Sequence, residues 1–277
     1  MRKKLFGFSY CLGAFIILFI YIFPLYWLFA NSLKTNVEIF KNPPTLWPIQ
    51  PIVENYIAIF NSEFSNVYQS FGNSLYIAVY TTIFTIALAL PAAYALATFK
   101  IKFGQLFILI FIIGQMLSQT VKLVPLFMIF RSMNLINTFA SVIISICTFT
   151  VPFAILIMRP FFLAIPSEIN ESAKMDGCNI YTAFIRVILP ISYPSVVVVA
   201  VFTFLLGWGD LVYPLTFLTD FRKRPMIANI SSYVTEFSTS WNLLLAFAVV
   251  SIVPVVVIFF LMQKYIVGGL TLGSVKG

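Results

Sequence analysis

The sequence predicts an all-α integral membrane protein of six transmembrane helices, and three observations carry that prediction. Only 9% of the 277 residues are charged, against 61% apolar and 17% aromatic. A soluble domain carries about 25% charged residues, so water cannot be the main solvent of this chain. The mean hydropathy of +0.99 points the same way. The third observation is the distribution: uncharged windows cover 5–33, 64–99, 103–121, 132–158, 187–209 and 237–263. Crossing a bilayer takes about 20 mainly apolar residues in a helix. A single Asp, Lys or Arg at the centre of such a helix costs about 2.5–3.5 kcal/mol, which is why the uncharged windows mark the spans.

The expected spans are about 9–30, 70–97, 104–128, 138–158, 191–217 and 242–263 of one transmembrane domain covering 1–277. Ahead of the first, Met1-Arg2-Lys3-Lys4 and the run behind it have the order of a signal peptide. The run outlasts the usual stretch of about 7–15 residues and no small-x-small cleavage site follows, so an uncleaved span is expected. Pro24 is expected to kink it. The polar stretch 31–69, with Pro43, Pro44, Pro48 and Pro51, is too short for a domain and too rich in proline for one long helix. Within it Glu54–Phe60 reads as a helical turn lying at the headgroups.

The second span is rich in alanine (Ala87, Ala89, Ala92, Ala93), which lets helices approach closely. Lys100 and Lys102 mark a short basic turn. In the third span Gln115, Gln119 and Lys122 fall at i, i+4 and i+7, one stripe of a helix. Either the stripe lines a polar pathway or Lys122 snorkels from a helix end. The fourth span closes at Arg159-Pro160. The fifth holds Gly207-Trp208-Gly209-Asp210, whose acid either faces the pathway or marks the interface.

Composition also excludes. The chain has no His, which rules out His-based triads, and its three cysteines, Cys11, Cys147 and Cys178, show no metal or disulfide spacing. No Gly-rich loop ending in Lys-Ser or Lys-Thr cradles a phosphate, and no paired intramembrane acids suggest a proton-driven pump. Neither an enzyme nor a self-powered pump is indicated, and no cofactor of the chain's own. The net charge of +8 suits basic loops beside anionic membrane lipid. A nucleic-acid partner is not indicated, since no basic patch interleaved with aromatics is present.

The longest polar insertion between apolar runs is 166–190, PSEINESAKMDGCNIYTAFIRVILP. It reads as a short helix capped by Ser167, with Glu168 and Glu171 on its positive first turns and Gly177 stopping it in a left-handed conformation. Asp176 sits at the wrong end of the dipole, at a cost of roughly 0.3–1 kcal/mol. It either caps the next turn or faces a basic group outside the chain.

Glu171-Ser172-Ala173, three residues, Gly177, nine residues, then Val187-Ile188-Leu189-Pro190 resembles the "EAA" signature of bacterial ABC-importer permeases, E-A-A, three, G, nine, I-x-L-P. Ser172 and Val187 depart from it conservatively. The order FPLYWLFANSLK, EIF, PPTLWP, ENY and the tail 264–277 resemble the maltose-type second permease of the carbohydrate-uptake branch. The resemblance implies a type I importer fold with a cytosolic coupling helix. On it Glu168, Ile169, Glu171, Ser172, Ala173, Asp176 and Gly177 meet a cytosolic ABC ATPase dimer, which binds the ATP and Mg. It implies that Val275, Lys276 and Gly277 reach that ATPase, that a second, homologous permease subunit pairs with this chain, and that an extracytoplasmic solute-binding protein docks near 220–241. Gln115, Gln119, Lys122 and Asp210 remain candidates for lining the pathway.

With both termini in the cytoplasm of a bacterial cell, ten Lys and Arg fall inside and seven outside, the sign expected of inner loops. Arg222-Lys223-Arg224 is the discordant cluster. Two other functions stay open on sequence alone: an autonomous secondary transporter or channel, and an ABC permease for amino acids or peptides.

Overall fold

The computed structural model describes residues 2–62, 66–234 and 239–272, with side chains from 13 to 263 within those limits. Helices dominate: α1 (Arg2–Ser32), α2 (Asn36–Ile39), α3 (Glu54–Asn61), α4 (Val67–Thr98), α5 (Gly104–Met116), α6 (Gln119–Ser132), α7 (Phe139–Leu163), α8 (Ser167–Met175), α9 (Ile180–Ala183), α10 (Leu189–Ile191), α11 (Tyr193–Gly209), α12 (Val212–Phe217), α13 (Met226–Asn229) and α14 (Trp241–Leu272). Among the described residues the nearest thing to a sheet is one isolated bridge, Val234 to Thr239.

Among the described residues, four uninterrupted stretches are long and apolar enough to cross a membrane: Gly13–Ser32, Val67–Thr98, Phe139–Leu163 and Trp241–Gln263. Two more are bent pairs, α5 with α6 at 101° and Ile180–Ile191 with α11 at 77°. A count of six spans therefore requires each bent pair to make one crossing.

The breaks correct two expectations. The third span is not one helix, because Leu117 turns extended (ψ 122°) and Ser118 caps α6, accepting from the Val121 N–H at 3.4 Å. The expected stripe of Gln115, Gln119 and Lys122 is therefore split between two helices. The fifth span likewise stops at Gly209, and Asp210, extended at ψ 125°, accepts the Tyr213 N–H at 3.0 Å to start α12. Conversely α7 runs through Arg159-Pro160 to Leu163. Proline forfeits one N–H there, while its carbonyl still accepts from Ala164 at 3.1 Å. Arg159 Nε donates to Leu96 O at 3.3 Å, a cation on the last turn of α4.

The chain divides into two compact units, 69–228 with 254–277, and 1–68 with 229–253. In the larger, Ala89, Leu90, Ala93 and Tyr94 of α4 pack on Ala154, Ile155, Met158 and Phe162 of α7, with Val199 of α11. A hydroxyl pair, Thr85 Oγ1 to Thr150 Oγ1 at 2.7 Å, ties α4 to α7. Gly207 lets α11 lie against α4, since a Cβ there would stand 3.0 Å from the Ala78 Cα and 3.6 Å from the Thr81 Cβ.

The smaller unit is organised around a buried lysine. Lys34, 1% exposed, donates to Asn31 Oδ1 at 2.9 Å and to Thr45 O at 2.5 Å, and lies 4.8 Å from the Trp27 ring centre. Glu38 accepts from Thr45 Oγ1 and the Ile49 N–H, both at 2.9 Å, so the proline-rich segment is folded on side chains rather than on regular structure. Burial lowers the Lys34 pKa, with Glu38 pulling the other way. The expected interfacial turn is α3, but it is turned partly inward: Ile59 and Asn55 are buried, and Asn55 Nδ2 donates to the carbonyls of Ser32 and Lys34. Helix α1 is the opposite case, with 6% of its apolar window buried.

Lys34→Met is expected to loosen residues 33–53, because it removes two hydrogen bonds from a charged donor at about 1.5–3 kcal/mol each before any relief of desolvation. Faster backbone hydrogen exchange across 33–53, with little change in α7, is the expected readout.

Candidate functional site

Two parts of the larger unit concentrate the candidate residues. The first is α8 and the turn after it. Pro166, not Ser167, occupies its cap position, and no side chain caps it; Ser167 is already helical. Glu168 in the first turn and Lys174 in the last still match the helix dipole. The C-terminus is a Schellman arrangement: Cys178 N donates to Ala173 O and Gly177 N to Lys174 O, both at 3.0 Å, with Gly177 at φ +80°. Asp176 holds the C-cap position and does not cap the next turn; Asn179 does, accepting from the Thr182 N–H at 2.8 Å.

The two faces of α8 differ sharply. Ala173 is buried and Ile169 packs on the α4–α7 core. Beside them Tyr94 Oη donates to Asn170 Oδ1 at 2.9 Å, and the Tyr94 ring lies 4.9 Å from that of Phe184. Ile169 and Ala173, both expected to meet the ATPase, thus turn toward the chain's own core, Ala173 buried and Ile169 partly so. Sequence spacing placed them together on one side, but only the position of α4 decides which side is inside.

Outward point Glu168, Glu171, Ser172, Lys174 and Asp176. With them stand two side chains that sequence reasoning passed over, Met175 at 88% exposure and Tyr181 at 79%. A mixed acidic and apolar surface held rigidly from behind is suited to docking on a protein partner. After it, a turn of π-helix at Phe184–Ile188 and Pro190 carry the chain into the 77° bend before α11.

The second part is a cleft of ≈ 260 Å³ where both helix breaks meet. Gln115, Gln119 and Asp210 all line it, with Phe149 of α7 as a wall. Gln119 Nε2 donates to Asp210 Oδ2 at 3.2 Å, and Gln115 Nε2 to Phe149 O at 2.6 Å. Lys122 is one turn further along α6, its Nζ 5.7 Å from the Phe149 ring centre. Three of the four pathway candidates, Gln115, Gln119 and Asp210, are thus brought together, across two helix breaks and not along one helical stripe. Phe149 was not foreseen, and no local signal distinguishes it from its neighbours.

The other expected contacts are less completely seen. Val275, Lys276 and Gly277 lie outside the described residues. Of 220–241, residues 235–238 do too; Asp220 caps a short turn by accepting from the Arg222 N–H at 2.9 Å, and Lys223 Nζ donates to Asn137 O at 2.8 Å. The discordant basic cluster is thereby partly engaged within its own unit.

Comparison with known proteins agrees with this architecture. The chain is 31% identical over 278 residues to the diacetylchitobiose uptake system permease protein DasC of Streptomyces coelicolor, covering 100% of both. It is 31% identical to the arabinooligosaccharides transport system permease protein AraQ of Halalkalibacterium halodurans, over 96% of this chain and 95% of that one. To the probable ABC transporter permease protein YurM of Bacillus subtilis it is 32% identical, over 96% and 88%. In fold it superposes at a TM-score of 0.80 on a chain of the crystal structure of a bacterial ABC transporter involved in import of the acidic polysaccharide alginate, with 19% identity over 96% of this chain and 98% of that one. Residues 73–271, which contain both the α8 surface and the cleft, match the family described as binding-protein-dependent transport system inner membrane component, and the chain belongs to that family.

Proposed function

We propose that this chain is the permease subunit of an ATP-driven importer of saccharides, with α8 as its coupling helix. The observation that carries the reading is the outward face of α8: acids and large apolar groups stand exposed together, while Ile169, Ala173 and Asn170 hold the helix from behind. A chain with no phosphate-cradling loop needs an energy source, and this face is where a cytosolic ATPase dimer, loaded with ATP and Mg, would push. The names of its relatives, which take up diacetylchitobiose and arabino-oligosaccharides, support the saccharide class.

In this reading both termini are cytoplasmic, and Val275, Lys276 and Gly277 extend toward the ATPase. A second, homologous permease covers apolar surface that α1 leaves open, and an extracytoplasmic binding protein delivers the solute near 220–241. Closure of the ATPase draws two coupling helices together and switches access from one side to the other, which requires contacts that differ between the two states. Gln115, Gln119, Lys122 and Asp210 stand along the route.

Tagged chain purified from its native membrane is expected to bring down an ATPase and a second permease in equal amounts. A lone chain that transports solute in vesicles without nucleotide would overturn the reading in favour of an autonomous carrier.

A further inference from the structure

The cleft between the two helix breaks has a chemistry of its own. Broken backbone at membrane depth is tolerated only where protein buries it or where it lines a water-filled cavity, and transporters place their ligands at such breaks. Here the break at Leu117-Ser118 and the break at Asp210-Leu211 open on the same cleft. Its ≈ 260 Å³ falls just below the range of about 300–1,000 Å³ that holds drug-sized ligands, so the occupant is one small ring.

The polar groups of the lining both donate and accept. Both glutamines spend one N–H within the protein, Gln115 on Phe149 O and Gln119 on Asp210 Oδ2, and each keeps a second N–H and an amide oxygen. Asp210 receives the Tyr213 N–H and Gln119, and an ionised carboxylate has about four acceptor sites. A cavity that offers both donors and acceptors suits hydroxyl groups, each of which can do both. The lining carries one acid, Asp210, and no base, which disfavours an anionic ligand and suits a neutral one. Ile146, Leu206 and Phe149 offer apolar walls to C–H faces.

We propose that this chain itself holds a subsite for one neutral sugar ring, made by Gln115, Gln119, Asp210 and Phe149. The proposal rests on the saccharide-importer reading above. It makes this subunit a contributor to specificity and not only a scaffold for its partner permease. A site built to hydrogen-bond hydroxyls rejects analogues that lack them, because its polar groups are then left unpaired.

The test uses the reconstituted complex with its binding protein, the native cysteines replaced by serine and Ser118→Cys as a reporter in the cleft. Maltose, trehalose, diacetylchitobiose, arabinotriose and their component monosaccharides are offered in turn. The imported sugar is expected to slow maleimide labelling of the reporter by about three- to tenfold, and Gln115→Leu with Gln119→Leu to abolish that protection. Should the leucine pair fail to assemble, Gln115→Asn with Gln119→Asn, which withdraws both amides by one methylene, gives the same readout. Import without protection, or protection that survives either pair, overturns the subsite and leaves the importer reading standing. Import of none of these sugars by the parent complex overturns the saccharide reading and the subsite together.

Discussion

Glu171→Lys is expected to cut solute uptake by about thirtyfold or more while the protein still inserts and accumulates normally. Glu171 is exposed on the outer face of α8 and takes no part in the core behind it. On a free surface an ion pair is worth about 0–1 kcal/mol, and a reversal there would pass unnoticed. Inside a protein interface, truncating one partner of a buried charge pair costs about 2–5 kcal/mol, and like-charge contacts cost several. At about 1.4 kcal/mol per factor of ten, even the lower figure gives the expected loss. Uptake into vesicles and solute-stimulated ATP hydrolysis should fall together, because both pass through the same contact. Uptake and stimulated hydrolysis that both survive Glu171→Lys would show that α8 does not transmit force. Ile169→Ala and Ala173→Ser should behave differently, lowering thermal stability before they affect coupling, since both side chains face the chain's own core.

The largest effect on folding is expected at Gly207. Adding one methyl places a carbon 3.0 Å from the Ala78 Cα, a backbone atom that cannot swing aside. Overpacking by a methylene costs about 1–3 kcal/mol in well-packed cores, so Gly207→Ala should lower the melting temperature of the purified protein measurably. Gly207→Leu should prevent folded protein from accumulating, because four heavy atoms cannot enter where one is already tight. Gly209, with nothing within 4 Å of its added Cβ, is the control. Trp208, 1% exposed between Phe71 and Phe204, supplies the fluorescence signal. An unchanged melt for Gly207→Ala would mean that α4 and α11 are not in this contact.

The broad architecture was legible because it rests on large sums. Twenty apolar residues contribute far more than any local preference, so the hydrophobic stretches stood out unaided. The breaks at Leu117 and Asp210 rest on single capping interactions of about 1 kcal/mol, which hydropathy averages away. The signals were present: Ser118 is a good cap residue, and Gly207-x-Gly209-Asp210 precedes Pro214 by a few positions. Outweighed by the apolar run on either side, they read as incidental. On α8 the motif spacing marked the helix, its acids and the Gly177 stop. Which side of it faces outward depended on Tyr94 and Phe162, more than seventy positions and a few positions away respectively in the chain. Periodicity within nine residues cannot report that.

Helix α1 has one more consequence. With 6% of its apolar window buried, it leaves a long apolar surface to lipid tails or to another subunit. Should the proposed second permease cover that surface, subunit made without this companion is expected to be degraded faster, a difference that pulse-chase labelling would show.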